Sequence, residues 1–269
     1  MTENGLYLYC FARADSMPVL EGVGLDNQNP LCQQRFQDIS AILSEVSFEE
    51  FSGPSAEAKM NDLSWVAPRA SRHEEVIVQV MRSSPVLPVR FGTIFSSLQS
   101  LKTPIQRHHD AIINFLDQVA DKEEWVLKGM VDREKAKSGL FAEIITEKAE
   151  ELAALAPGLR YLREQRIRAE TEKDLNRRLK EATLKLAKEL QAEVSDFCEH
   201  RLLSREITGR DCDMIFNWAF LVSRRALPEF QARIEQASAD YANQGLLLEL
   251  TGPWPPYSFA PSLEPEADS

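Results

Sequence analysis

Cys198, His200 and Cys212 are the side chains most able by type to hold a metal. Thiolate and imidazole are zinc donors, yet a closed tetrahedral site wants a fourth ligand, and this spacing matches no finger. Cys198 is better accounted for as a small hydrophobe on a helix face. His73-Glu-Glu would open a zinc-hydrolase helix only with a second histidine four positions on, where Ile77 stands. His108-His109 is a pair on an amphipathic helix, which makes a weak ligand candidate. Gly22-Val-Gly24 begins like a phosphate-binding turn, but Asn27 occupies the place of the third glycine, so it reads as a loop. Neither a nucleophile elbow nor a P-loop occurs, and no cysteine has a recognisable histidine partner. Carboxylates stand beside Lys or Arg on helix faces, where solvated pairs are the default. These residues do not point to an enzyme, and no cofactor or metal is expected.

A different kind of chemistry is concentrated near the C-terminus. Thr251-Gly-Pro-Trp-Pro-Pro-Tyr-Ser-Phe259 alternates prolines with aromatic rings. Prolines fix φ near −65° and stiffen an extended segment that displays or buries its rings. The expectation is that Trp254, Tyr257 and Phe259 bury against the N-terminal domain and fasten the two halves, with docking to a partner as the other reading. Pro88, Arg90 and Phe91, in a second proline-aromatic stretch, are candidates for the same interdomain or partner contacts.

The elements that must hold these segments follow from periodicity. Leu6–Ala12, Ile39–Ser47, Val86–Phe91 and Trp125–Val131 read as strands, with Pro88 confining its strand to an edge or a bulge. Residues 21–35 read as loop and Phe51–Pro54 as a turn. Helices are expected over Ala56–Leu63, Ala70–Met81 with Pro68 in its first turn, and Leu98–Val119. The first domain is thus α+β and ends near 135, at the charged linker Asp132–Ser138. A second domain, 136–250, opens with a helix over Ala142–Ala156 stopped by Pro157-Gly158. A long helix over 160–205 follows, with Leu175, Leu179, Ala182, Leu186, Leu190, Val194 and Phe197 on one stripe. Met214–Val222 is a buried strand, Pro228–Asn243 a helix capped by Gly245, and Leu246–Leu250 a final strand. Residues 251–269 form the proline-aromatic tail and an acidic end, Ala260–Ser269, expected to be disordered.

Composition bounds the rest. The 269 residues are 43% hydrophobic and 27% charged, which suits a globular chain of about two domains. Net charge is −11, a field that disfavours nucleic acid and anionic lipid. Only Arg160–Arg168 is a basic cluster, and it keeps open a coiled-coil adapter or nucleic-acid-binding reading of helix 160–205. Met1–Gly5 is polar with no basic-apolar leader behind it, and the longest apolar run, Met214–Val222, is about half a membrane span. A soluble cytoplasmic chain with reduced cysteines is expected.

Four stretches carry a family resemblance: Leu6-Tyr-Leu-Tyr-Cys-Phe, Pro85-Val-Leu-Pro-Val-Arg-Phe-Gly-Thr-Ile-Phe95, Glu124-Trp-Val-Leu-Lys128 and Leu250-Thr-Gly-Pro-Trp-Pro-Pro-Tyr-Ser-Phe259. With Leu159-Arg-Tyr-Leu-Arg-Glu-Gln165 at the start of the long helix, they make residues 6–259 resemble the GvpL/GvpF family of gas vesicle proteins. The resemblance implies two α+β domains, the C-terminal one a modified ferredoxin-like fold with a long helical extension. It also implies a non-enzymatic accessory or structural protein of gas vesicle assembly, the hollow shells that give cells buoyancy. Partners would be the major shell protein and other accessory proteins, and the place of action the cytoplasm at the gas vesicle. A soluble acidic protein of this kind could keep an apolar shell subunit dispersed or nucleate its ribbon. The acidic extension after Phe259 departs from the family pattern.

Overall fold

The computed structural model describes residues 4–16, 20–51, 54–242 and 244–263. By its contacts the chain divides into two compact units, residues 1–124 with 253–269 and residues 125–252. Each combines helices with an antiparallel sheet, so the α+β class holds.

The first unit runs β1 (Asn4–Arg13), β2 (Leu31–Phe36), β3 (Ile39–Ser47), α1 (Phe48–Phe51), α2 (Pro54–Met60), α3 (Leu63–Met81), β4 (Val86–Pro88), β5 (Ile94–Phe95), α4 (Leu98–Arg107) and α5 (His109–Val119). Its sheet has the order β2-β3-β1-β4, with β5 also on β1. β1 and β3 are buried almost throughout, which is why both read as dense apolar runs. Tyr7 and Tyr9 of β1 meet Val76, Ile77 and Val80 of α3 in one core cluster. Pro88 ends β4 at the sheet edge, where its missing N–H breaks no ladder.

Three expectations need correcting here. β2 lies inside the stretch read as loop; its Cys32-Gln-Gln-Arg sequence is polar because an edge strand buries little. α3 starts at Leu63 rather than Ala70, capped by Asp62, whose carboxylate accepts the Ser64 N–H at 2.9 Å. Pro68 therefore stands inside the helix, where it removes the bond to the Ser64 carbonyl. The single helix expected over Leu98–Val119 is two, broken at His108, and the first is opened by a capping box between Ser97 and Ser100. The turn read over Phe51–Pro54 includes residues 52 and 53, which lie outside the described residues.

The second unit is entered along β6 (Lys122–Val131), followed by α6 (Arg133–Glu147), α7 (Ala149–Ala153), α8 (Pro157–Gln191), β7 (Asp196–Glu199), α9 (Arg205–Thr208), β8 (Asp213–Ser223), α10 (Leu227–Ala242) and β9 (Leu246–Trp254). The strand order is β7-β8-β6-β9. Leu175, Leu179, Leu186 and Leu190 of α8 pack with Phe216, Trp218, Phe220 and Val222 of β8. Alternate β8 residues thus supply one face of this core.

The charged stretch Asp132–Ser138 is no linker: Asp132 caps α6 by accepting the Lys135 N–H at 3.0 Å. Pro157 starts α8 instead of stopping the helix before it, a position where a proline loses nothing. α8 has 35 residues, about 52 Å at 1.5 Å per residue, and ends at Gln191 rather than near Arg205. Residues beyond it lack proline and glycine, so local propensity did not mark the end. Pairing did: Phe197 and Cys198 stand opposite Phe220 and Ala219 of β8, and the Phe197 and Phe220 rings lie 5.3 Å apart. Cys198 is consequently on a strand, not a helix face. The acidic end expected to be disordered is described only to Leu263; residues 264–269 lie outside. Among the described residues, no helix is long and apolar enough to cross a membrane.

Candidate functional site

His73 of α3 is 3% exposed and is gripped from three directions. Its Nδ1 lies 2.9 Å from the Tyr7 hydroxyl. Its Nε2 lies 3.1 Å from the Val89 carbonyl and 3.2 Å from the Tyr257 hydroxyl. The Tyr9 ring stacks on the imidazole at 28°, while Phe91 meets it edge-on. The Gly92 N–H donates to the Tyr7 oxygen at 3.0 Å, which turns the Tyr7 O–H toward Nδ1. The network therefore assigns the proton to Nε2, which donates to Val89, and the Tyr257 O–H points at Glu74 Oε2, 3.4 Å away.

The next residue of the tail is held by a second carboxylate. Glu124, 3% exposed, accepts the Ser258 N–H at 3.0 Å and the Ser258 Oγ–H at 2.5 Å. Residues 253–259 and both carboxylates belong to the first unit. All four stretches that carry the family resemblance thus meet: Tyr7 and Tyr9 from the first, Val89, Phe91 and Gly92 from the second, Glu124 from the third, Tyr257 and Ser258 from the fourth.

Burial sets the electrostatics. It drives His73 down to about 4, against the opposing pull of the Val89 carbonyl. It lifts Glu124 to about 7, although the Ser258 bonds work the other way and Glu74 adds like-charge repulsion. Glu74 is raised by burial as well, with its Tyr257 bond opposing. The Tyr257 and Tyr7 phenols are pushed far up by the same desolvation. With both imidazole nitrogens engaged, His73 helps hold the tail segment in place.

The expected tail burial needs correcting. Trp254 is 42% and Tyr257 37% exposed, and Phe259 is half-buried; the fully covered side chains are Pro255 and Pro256. Tyr257 inserts its hydroxyl and leaves part of its ring outside. Of the mid-chain candidates, Pro88 is buried, Phe91 lies half-buried against His73 and Tyr7, and Arg90 is exposed. His73, Glu74 and Glu124 were missed as tail ligands. His73 stood out only as a failed zinc motif, and no local pattern announces two carboxylates brought together by a fold. Of the histidine pair, His109 binds Asp38 at 2.7 Å and Asp110 at 3.0 Å, and these raise its affinity for a proton, Asp110 first. Among the described residues, no three histidine, cysteine or acidic side chains gather in a metal-like group.

The basic start of α8 is occupied by its neighbours. Arg160 pairs with Glu164, Arg163 with Glu151 and Arg166 with Glu170, while Arg168 lies over the Phe141 ring at 4.8 Å. The apolar stripe of α8 is spent on the core of its own unit, which leaves little for a partner helix.

Comparison with known proteins agrees with the shared geometry. Residues 5–261 match the family model described as gas vesicle synthesis protein GvpL/GvpF. Gas vesicle protein L of Streptomyces sp. (strain CB03234) is 27% identical over 266 residues, covering 96% of this chain and 94% of the relative. Gas vesicle protein L1 of Halobacterium salinarum is 23% identical, covering 97% and 92%. The crystal structure of gas vesicle protein GvpF from Anabaena sp. PCC7120 superposes with a TM-score of 0.66 at 20% identity, over 96% of this chain and 97% of that one. GvpF from Microcystis aeruginosa gives 0.65 at 19%, over 96% and 99%. At such identity these two structures speak for the fold.

Proposed function

The chain belongs to the GvpL/GvpF family of gas vesicle synthesis proteins, and from that premise we propose that it is a non-enzymatic accessory protein of shell assembly that binds the major shell protein and other accessory proteins. The observation that carries this reading is the family match across 5–261, which spans both units and the tail that closes the first one. A shell subunit with one apolar wall exposes aggregation-prone surface before it is assembled. A carrier with net charge −11 stays dispersed while holding it, provided that it offers apolar contacts of its own. Candidates for those contacts are Leu159, Tyr161 and Leu162 at the start of α8, 59%, 60% and 63% exposed, together with Trp254 and Phe91. The chain would act in the cytoplasm, at the growing vesicle.

The test is co-expression with the shell subunit followed by affinity capture, alongside a clean gene deletion. Recovery of the subunit and loss or deformation of vesicles are expected. Normal vesicles in a deletion strain without a second family member, and no capture, would reject the reading.

A further inference from the structure

The turn at Tyr257–Phe259 follows directly on β9, so it is anchored at Trp254 in the sheet that also holds β6. Beyond that anchor, Tyr257 N–H donates to the Pro255 carbonyl at 2.7 Å and Ala260 N–H to the Tyr257 carbonyl at 3.3 Å. The turn thus fixes its own shape, and the two prolines before it arrive with φ already set. Side chains hold it down: His73 and Glu74 of α3 on the Tyr257 hydroxyl, and Glu124 of β6 on Ser258. Two of these three are carboxylates, and with the turn closed Glu124 is almost wholly out of water.

A charged carboxyl loses hydration when the turn shuts and regains it when the turn lifts. Ser258 offsets part of that loss with two hydrogen bonds, but the charged group acting on Glu124 is Glu74, of the same sign. Protonation removes the penalty and keeps the contacts, since the acid O–H can donate to Ser258 Oγ while the other oxygen still accepts the N–H. The other ionisable groups around the turn keep one state near neutrality. His73 is pushed down to about 4, whereas Tyr7, Tyr257 and Cys10 are pushed up by burial. Glu74 moves in the same direction as Glu124.

We propose that residues 255–260 form a strap whose closure depends on the protonation of Glu124, tight while that carboxyl keeps its proton and loosened as it and Glu74 ionise. The strap lifts from Trp254 onward and leaves both sheets intact. Glu124 titrates near 7 when covered and near its ordinary 4.5 when uncovered. Opening is then favoured on the order of 70-fold more at pH 8 than at pH 5.

Hydrogen exchange of the full chain, corrected for the intrinsic effect of pH, reads this opening directly. Peptides covering residues 257–263 are expected to lose protection on the order of 70-fold from pH 5 to 8, while those covering residues 6–12 of β1 keep theirs. In Glu124→Gln, which carries no charge at either pH, most of that difference should vanish. Equal protection of 257–263 at the two values overturns the proposal. So does a loss shared by β1, which would mean unfolding of the whole unit, and so does a parent-like loss in Glu124→Gln. Should that variant not fold, the comparison of 257–263 with β1 in the parent decides by itself.

Discussion

His73 Nε2 and the Tyr257 hydroxyl lie 3.2 Å apart across 184 positions of sequence. This bond ties the 3-10 turn at Tyr257–Phe259 to α3, and its direction follows from the other end of the ring. Gly92 donates to Tyr7, Tyr7 to His73 Nδ1, and His73 Nε2–H to Val89. Tyr7 is therefore the residue on which the order of the network depends. Tyr7→Phe removes the buried Nδ1 donor and leaves the part-buried Gly92 N–H without its acceptor, the first a loss of about 1–3 kcal/mol and the second a smaller addition. Tyr257→Phe removes one part-buried hydroxyl, on a residue that is 37% exposed, and is expected to cost about 1 kcal/mol. Urea unfolding of both variants should give that ranking; equal effects would show that Tyr7 does not orient His73.

The pH dependence follows from two groups with opposite signs. His73 falls from 6.5 to about 4, so its contribution to stability is present above 6.5 and lost as pH falls toward 4. Glu124 rises from 4.5 to about 7, so its contribution is present below 4.5 and lost as pH climbs to 7. Each amounts to about 3 kcal/mol over its range, and the two slopes nearly cancel between these limits. Glu74, raised in the same direction as Glu124, adds to the latter's side. Glu124→Gln should unmask the histidine: relative to the parent, stability should fall by about 1.4 kcal/mol per pH unit on acidification from 6.5 to 4.5. Denaturant midpoints across that interval measure it, and a parallel pair of curves would contradict the assignment.

What the sequence made legible was whatever its own periodicity determines. β3 at Ile39–Ser47 and β8 around Met214–Val222 were readable because strands covered on both faces are predominantly apolar. The polar edge strand β2 carries no such signal, and the end of α8 is set by Phe197 pairing with β8, a contact invisible along the chain. For the same reason the tail motif could be recognised as special, but not its ligands: His73 and Glu124 lie 184 and 134 residues from their tail partners.

The register of α8 supplies a direct check. Leu186 is 1% exposed within the core of the second unit, whereas Leu184, two positions before it, is 61% exposed. Leu186→Ala should cost about 2–5 kcal/mol through lost burial and the cavity left behind. Leu184→Ala should stay within about 0.5 kcal/mol. Thermal unfolding of the pair separates them, and similar losses would mean the helix is rotated from the arrangement described.

Two glycines of the second unit make a sharper contrast. A Cβ at Gly129 of β6 would stand 2.2 Å from Phe216 Cε1, and that ring is stacked on Trp218 at 3.8 Å with only 13° between planes. The phenyl ring cannot retreat without opening its stack, so Gly129→Ala should lose about 1–3 kcal/mol or more by overpacking. Gly139 sits within α6, with nothing inside 4 Å of its would-be Cβ. Gly139→Ala relieves the helix of its most flexible residue at no steric cost and should add about 0.5–1 kcal/mol. The sign, read from denaturant midpoints, is the test. A stabilising Gly129→Ala would show that the Phe216–Trp218 stack does not press on β6, and a destabilising Gly139→Ala would show that this face of α6 is covered in solution.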